Sequence, residues 1–184
     1  YLPDLVEDIM ARDPAWREAV RQRLRRTRFQ WFQSSPAQIA RARASKALRI
    51  LGSDAAPALP LLMEQVHRIK GSTGLPWVRL GAIVDNVPET VPTIIRECHT
   101  PPYSEAAAHF LGVYRVKPAL AVPFLIKCAE HGAWKTQYYA VTSLGWFGAE
   151  ATSAVPILVR LQADNNVVLA RAAGEALEKI TNSA

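Results

Sequence analysis

Cysteine is nearly missing: the 184 residues hold two, Cys98 and Cys128, too few for a disulfide framework. They follow Pro92 and Pro123 by six and five residues, at or beside a core-facing phase. Both therefore read as small buried hydrophobes, the usual role of free cysteine. No apolar run reaches about 18 residues, so no stretch is written to span a bilayer as a helix. Glycine-rich phosphate loops, nucleophile elbows and Cys-x-x-Cys pairs are also missing, and with them the motif-based case for nucleotide, hydrolase or redox chemistry. The four histidines, His67, His99, His109 and His131, have no His or carboxylate three or four residues further on. A helix-borne metal site is therefore not expected. No catalytic residue and no cofactor is assigned.

What is present is a chain able to fold. Apolar residues make up 49% and charged residues 21%, a balance that excludes wholesale disorder. The length fits one domain with a substantial core. The net charge of +6 is unevenly placed: residues 1–50 hold 11 Lys/Arg against 5 Asp/Glu, and residues 51–184 hold 11 against 11. The whole excess sits in the first quarter, which points to an anionic partner for that segment or to internal pairing there.

The strongest pattern is a proline that follows one apolar residue and precedes a mostly apolar run. It occurs at Pro60, Pro92, Pro123 and Pro156, at intervals of 32, 31 and 33 residues. A fixed period of that size marks a stacked array of helical hairpins, each burying its apolar face only against its neighbours. Each proline is expected in the first turn of a second helix, where its missing N–H has no partner to lose. The first helix of each unit is expected to end at Leu51-Gly52, Leu111-Gly112 or Leu144-Gly145, with Val84-Asp85 in the equivalent place. A last helix is expected from Val167 to Ile180, with Ala172, Ala173, Ala176, Leu177 and Ile180 on one side.

Residues 1–35 read as an N-terminal helical cap. Asp13-Pro14 has the form of an N-cap followed by proline at the first helical position. Trp16, Val20 and Leu24 make an apolar stripe, and Phe29, Trp31 and Phe32 close the segment. Arg17, Arg21, Arg25 and Arg28 run along one side of that helix. Like charges at this spacing cost an isolated helix about 0.2–0.5 kcal/mol per pair. The row therefore needs either the nearby acids Asp4, Glu7, Asp8 and Glu18 or an external anion such as nucleic acid or a membrane surface.

Residues 36–181 resemble HEAT repeats, in particular the short bacterial type related to phycocyanin-lyase-like repeats. The likeness is carried by Ala47-Leu48-Arg49-Ile50-Leu51-Gly52 with Pro60-Leu61-Leu62, and by Ser143-Leu144-Gly145 with Ala154-Val155-Pro156-Ile157-Leu158. Leu169-Ala170-Arg171-Ala172-Ala173-Gly174-Glu175-Ala176-Leu177 closes it. The resemblance implies an all-α, right-handed α-solenoid of about four and a half hairpins over residues 36–184, with second helices lining a concave face. Metal-holding His-Glu dipeptides of HEAT-like hydroxylases are missing from this chain.

The apolar residues one before the proline and two and three after it are expected to face the core, so four residues after it, at about 100° per residue, the side chain is expected to point away. That slot holds Glu64, Arg96, Lys127 and Arg160. Related repeats commonly place an acid there, so three consecutive basic residues depart from the family pattern. They are read either as ordinary solvated cations or as a ladder that receives an acidic peptide, a carboxylate-rich protein surface or a phosphate backbone. The five tryptophans are expected in core or inter-repeat packing, Trp77 and Trp134 as staples into a neighbouring unit. Together these features point to a non-enzymatic binding scaffold for an acidic protein partner. The alternative is a nucleic-acid-binding protein of the DNA alkyl-purine glycosylase type, whose HEAT-like repeats grip DNA through a basic concave face.

Overall fold

The computed structural model describes residues 36–68, Trp77 and residues 80–183. The proposed cap at 1–35 lies outside the described residues, and with it Arg17, Arg21, Arg25, Arg28, Trp16 and Trp31. Among the described residues the chain is all-helical, with no strand. Helix α1 spans Pro36–Leu51 and α2 Ala58–Arg68. After a set of helical turns at 80–87 come α3 (Thr90–Glu97), α4 (Tyr103–Tyr114), α5 (Pro118–His131) and α6 (Trp134–Phe147). Helices α7 (Val155–Gln162) and α8 (Val167–Ser183) complete the chain. Short 3-10 turns at Gly52–Ala55 and Gly148–Ala154 lead into α2 and α7.

Burial repeats with the prolines. Twelve residues before them stand Leu48, Leu80, Leu111 and Leu144, each with no exposure. Two before stand Ala58, Thr90, Ala121 and Ala154, also fully enclosed. Two after stand Leu62, Ile94, Leu125 and Leu158, at most 1% exposed. These three positions make one continuous core, because each helix must hide the same stripe against its neighbours.

Close approaches fix how the helices run. The hydroxyls of Ser104 and Thr136, in the first turns of α4 and α6, lie 3.3 Å apart. Further along, the Ser143 hydroxyl donates to the Ala108 carbonyl at 2.8 Å, buried between the same two helices. Early turns meet early turns and later turns meet later, so α4 and α6 run in parallel. The same holds for α6 and α8, where Gly145 backs onto the Ala176 backbone and Gly148 onto Ser183. The returning helix α5 packs against α3, α4, α6 and α7.

Three local expectations need correction. First, Leu111-Gly112 and Leu144-Gly145 do not end their helices, which run on to Tyr114 and Phe147. Those glycines sit eleven residues before the proline, as does Gly81, and allow close packing: a Cβ on Gly112 would fall 2.8 Å from the Ser143 Cα. The chain-reversing position lies eight before the proline, at Gly52 (φ +57°), Arg115 (φ +50°) and Gly148 (φ +56°). Leu51-Gly52 therefore matches Phe147-Gly148, not Leu144-Gly145, and Leu51 is exposed while Leu48 is enclosed.

Second, Pro123 lies in the interior of α5, which starts five residues earlier at Pro118. The carbonyl it deprives is that of Ala119, an exposed residue where water can supply the missing donor. Pro60, Pro92 and Pro156 do fall in first turns. Third, the position three after the proline is not uniformly inward: Met63 is buried, Ile95 and Ile126 are half-buried, and Val159 is 54% exposed.

Thr90 breaks the small-residue pattern two before the proline. Its hydroxyl is buried with no hydrogen-bond partner among the described residues, where the other units have alanine. An unsatisfied buried hydroxyl costs about 1–3 kcal/mol. Thr90→Val keeps the shape and removes that group, so we expect it to raise stability by about 1 kcal/mol in urea melts. A loss of stability would show that the hydroxyl is satisfied.

Candidate functional site

The residues four after each proline are all exposed. Arg96 lies on α3, Lys127 on α5 and Arg160 on α7, helices that pack in that order. Their electrostatic settings differ. Arg96 reaches the Glu97 carboxylate at 3.2 Å while staying well exposed, and also the Thr93 hydroxyl at 3.4 Å. Such a surface pair is worth little and holds the guanidinium only loosely. Lys127 and Arg160 meet no carboxylate within ion-pair distance among the described residues. Glu64, in the same slot on α2, pairs with Arg68 at 3.1 Å. Nothing places Arg17, Arg21, Arg25 or Arg28 beside this row, since they lie outside the described residues.

A cleft of about 530 Å³ opens beside Lys127. It runs along α5 from Leu120 to His131, between the end of α3 and the first turns of α4 and α6. Ile95, Leu120 and Phe124 give it an apolar wall. His99, Lys127 and His131 supply its basic groups, and Ser104 and Thr136 its hydroxyls. No Asp or Glu lines it among the described residues. The His99 Nδ1 lies 2.9 Å from the Arg96 carbonyl; a carbonyl only accepts, so Nδ1 carries the hydrogen and Nε2 is left uncommitted. His131 has Glu130 at 3.7 Å. Of this group only Lys127 was singled out by sequence. The usable signal was that His99 and His131 follow their prolines by seven and eight residues, which sets them at matching ends of neighbouring helices.

The remaining sequence candidates divide. Trp77 is buried and packs on Phe110, ring centroids 5.6 Å apart, the staple expected of it. Trp134 is not a staple: it is 54% exposed, with the Lys135 ammonium 5.8 Å from its ring centre. Trp146 is half-buried against His109, which also meets Tyr139. Cys98 and Cys128 are buried and free. Burial pushes both thiols up to about 12, with Glu97 adding to the effect at Cys98, so neither is a thiolate nucleophile near neutrality. Among the described residues no cluster of three or more His, Cys, Asp or Glu could hold a metal. No described helix is long and apolar enough to cross a membrane.

No protein-family model matches the chain, and no curated protein or solved structure shows significant similarity to it.

Proposed function

We propose that the chain is a non-enzymatic helical-repeat scaffold of HEAT-like type. In this reading residues 36–184 form a right-handed α-solenoid of about four and a half hairpins, with the basic segment 1–35 as its cap. The second helices α3, α5 and α7 present a row of cations to an acidic protein partner. The observation that carries the reading is the slot four after each proline, exposed in all four units and basic on three helices that pack in succession. Recurrent burial at three other offsets from the prolines supports the hairpin repeat beneath it.

The mechanism is presentation. A preformed surface orders little on binding, and a row of like charge steers an oppositely charged partner and fixes its register. Arg17, Arg21, Arg25 and Arg28 extend the basic character toward the N-terminus.

The test is a fluorescence polarisation titration with a labelled poly-glutamate peptide against the wild type and a triple reversal, Arg96→Glu, Lys127→Glu and Arg160→Glu. All three side chains are exposed, so thermal melting should change little while peptide affinity falls about tenfold or more. Unchanged affinity would mean the row is merely solvated. A labelled DNA duplex in the same assay separates the rival: tighter binding than the peptide, falling steeply from about 50 to about 300 mM salt, would favour nucleic acid instead.

A further inference from the structure

The cleft beside Lys127 is chemically one-sided. One wall is apolar, and Leu120 on its rim is left 45% exposed. The same cleft also gathers hydrogen-bond donors. Lys127 brings an ammonium with no ion-pair partner among the described residues. Ser104 and Thr136 are 2% and 1% exposed and share one contact of 3.3 Å. Two hydroxyls joined by one bond leave one hydrogen uncommitted. Gly132, Ala133 and Thr136 bring the start of α6 to the lining. No side chain among the described residues caps that helix, so its first-turn amides are left without acceptors there and carry the positive end of its dipole. Of the acids on the adjoining helices, Glu97 pairs with Arg96 and Glu130 lies 3.7 Å from the His131 ring, and neither of these nor Glu105 is among the lining residues.

We propose that this cleft binds a small amphipathic carboxylate: an aliphatic chain or ring lying along Ile95, Leu120 and Phe124, its carboxylate held by Lys127, the spare hydroxyl hydrogen and the opening turn of α6. A cation is repelled by Lys127, and a neutral molecule leaves the ammonium and hydroxyl without an acceptor. The volume of about 530 Å³ is that of a site for one small molecule. The inference goes beyond the scaffold reading and does not depend on it. Lys127 serves both, but the probe contains no peptide, so either can fail alone.

The experiment is calorimetric titration of the protein with hexanoate, octanoate and decanoate below their aggregation limits, with 1-decanol as the uncharged control. One decanoate should bind per chain, with affinity rising about threefold to fourfold per methylene as the tail buries against the apolar wall. Lys127→Ala should weaken decanoate about tenfold or more and leave decanol unchanged. Leu120→Asp, at an exposed position that leaves the melting temperature intact, should abolish binding. Decanol binding as tightly as decanoate, several equivalent sites per chain, or indifference to Lys127→Ala would overturn the assignment.

Discussion

Leu158→Ala lowers the stability of the folded chain by about 2–5 kcal/mol, whereas Val159→Ala, one residue along, changes it by less than about 1 kcal/mol. Both residues are aliphatic and both sit in α7 just after Pro156, and their helix propensities differ by only about a few tenths of a kcal/mol, too little to account for the gap. Position in the repeat does. Leu158 stands two after the proline and is fully enclosed; Val159 stands three after and is 54% exposed. Truncating the first leaves a cavity that surrounding helices fill only in part, while truncating the second removes atoms already in water. At about 2–4 °C per kcal/mol for a chain of this size, thermal melts resolve the difference easily. Equal losses would mean that the burial pattern after Pro156 is wrong.

Alanine at Gly112 should destabilise by about 1–3 kcal/mol, while alanine at Gly174 should stabilise by about 0.5–1 kcal/mol. Both glycines lie inside helices, α4 and α8, where alanine is ordinarily favoured by about 1 kcal/mol. The surroundings decide the sign. A Cβ at Gly112 would come within 2.8 Å of the Ser143 Cα, a backbone atom that moves only with α6. A Cβ at Gly174 would meet only the Gln162 side-chain amide at 3.4 Å, an ordinary contact. The pair therefore measures how tightly successive parallel helices are pressed together. Stabilisation at both positions would show that α4 and α6 do not approach closely at Gly112.

Much of this was readable in the sequence, and the failures have physical causes. The prolines carried the period because a residue without an N–H is tolerated only at special places in a helix, and at Pro60, Pro92 and Pro156 that place is the first turn. Pro123 departs because Pro118 starts α5 earlier, and the exposure of Ala119, whose carbonyl loses its partner, makes the interior position tolerable. Leu-Gly pairs misled the placement of helix ends because glycine serves two needs here. At Gly52 and Gly148 it supplies a positive φ, and at Gly112 and Gly145 it supplies room. Spacing from the proline, eight against eleven residues, separates the two uses; the dipeptide alone does not.

The candidate cleft was hidden for a different reason. Lys127 stood out through its slot, but Ile95, Ser104, Leu120 and Thr136 come from four helices and meet only when α3, α4, α5 and α6 pack together. No local motif encodes that meeting. Trp134 shows the reverse error: an aromatic residue ahead of a helix looked like a staple, yet Ala133 leaves the preceding backbone extended and the ring stays largely in solvent.

The most direct test of the central claim, a row of basic residues on successively packed second helices, is a distance between spin labels at positions 96 and 160, with Cys98 and Cys128 replaced by alanine. Helices in contact lie about 8–10 Å apart. Two such steps, from α3 across α5 to α7, predict a narrow distribution centred near 20 Å. A broad distribution, or a mean beyond about 35 Å, would contradict stacking in that order and remove the row on which recognition depends.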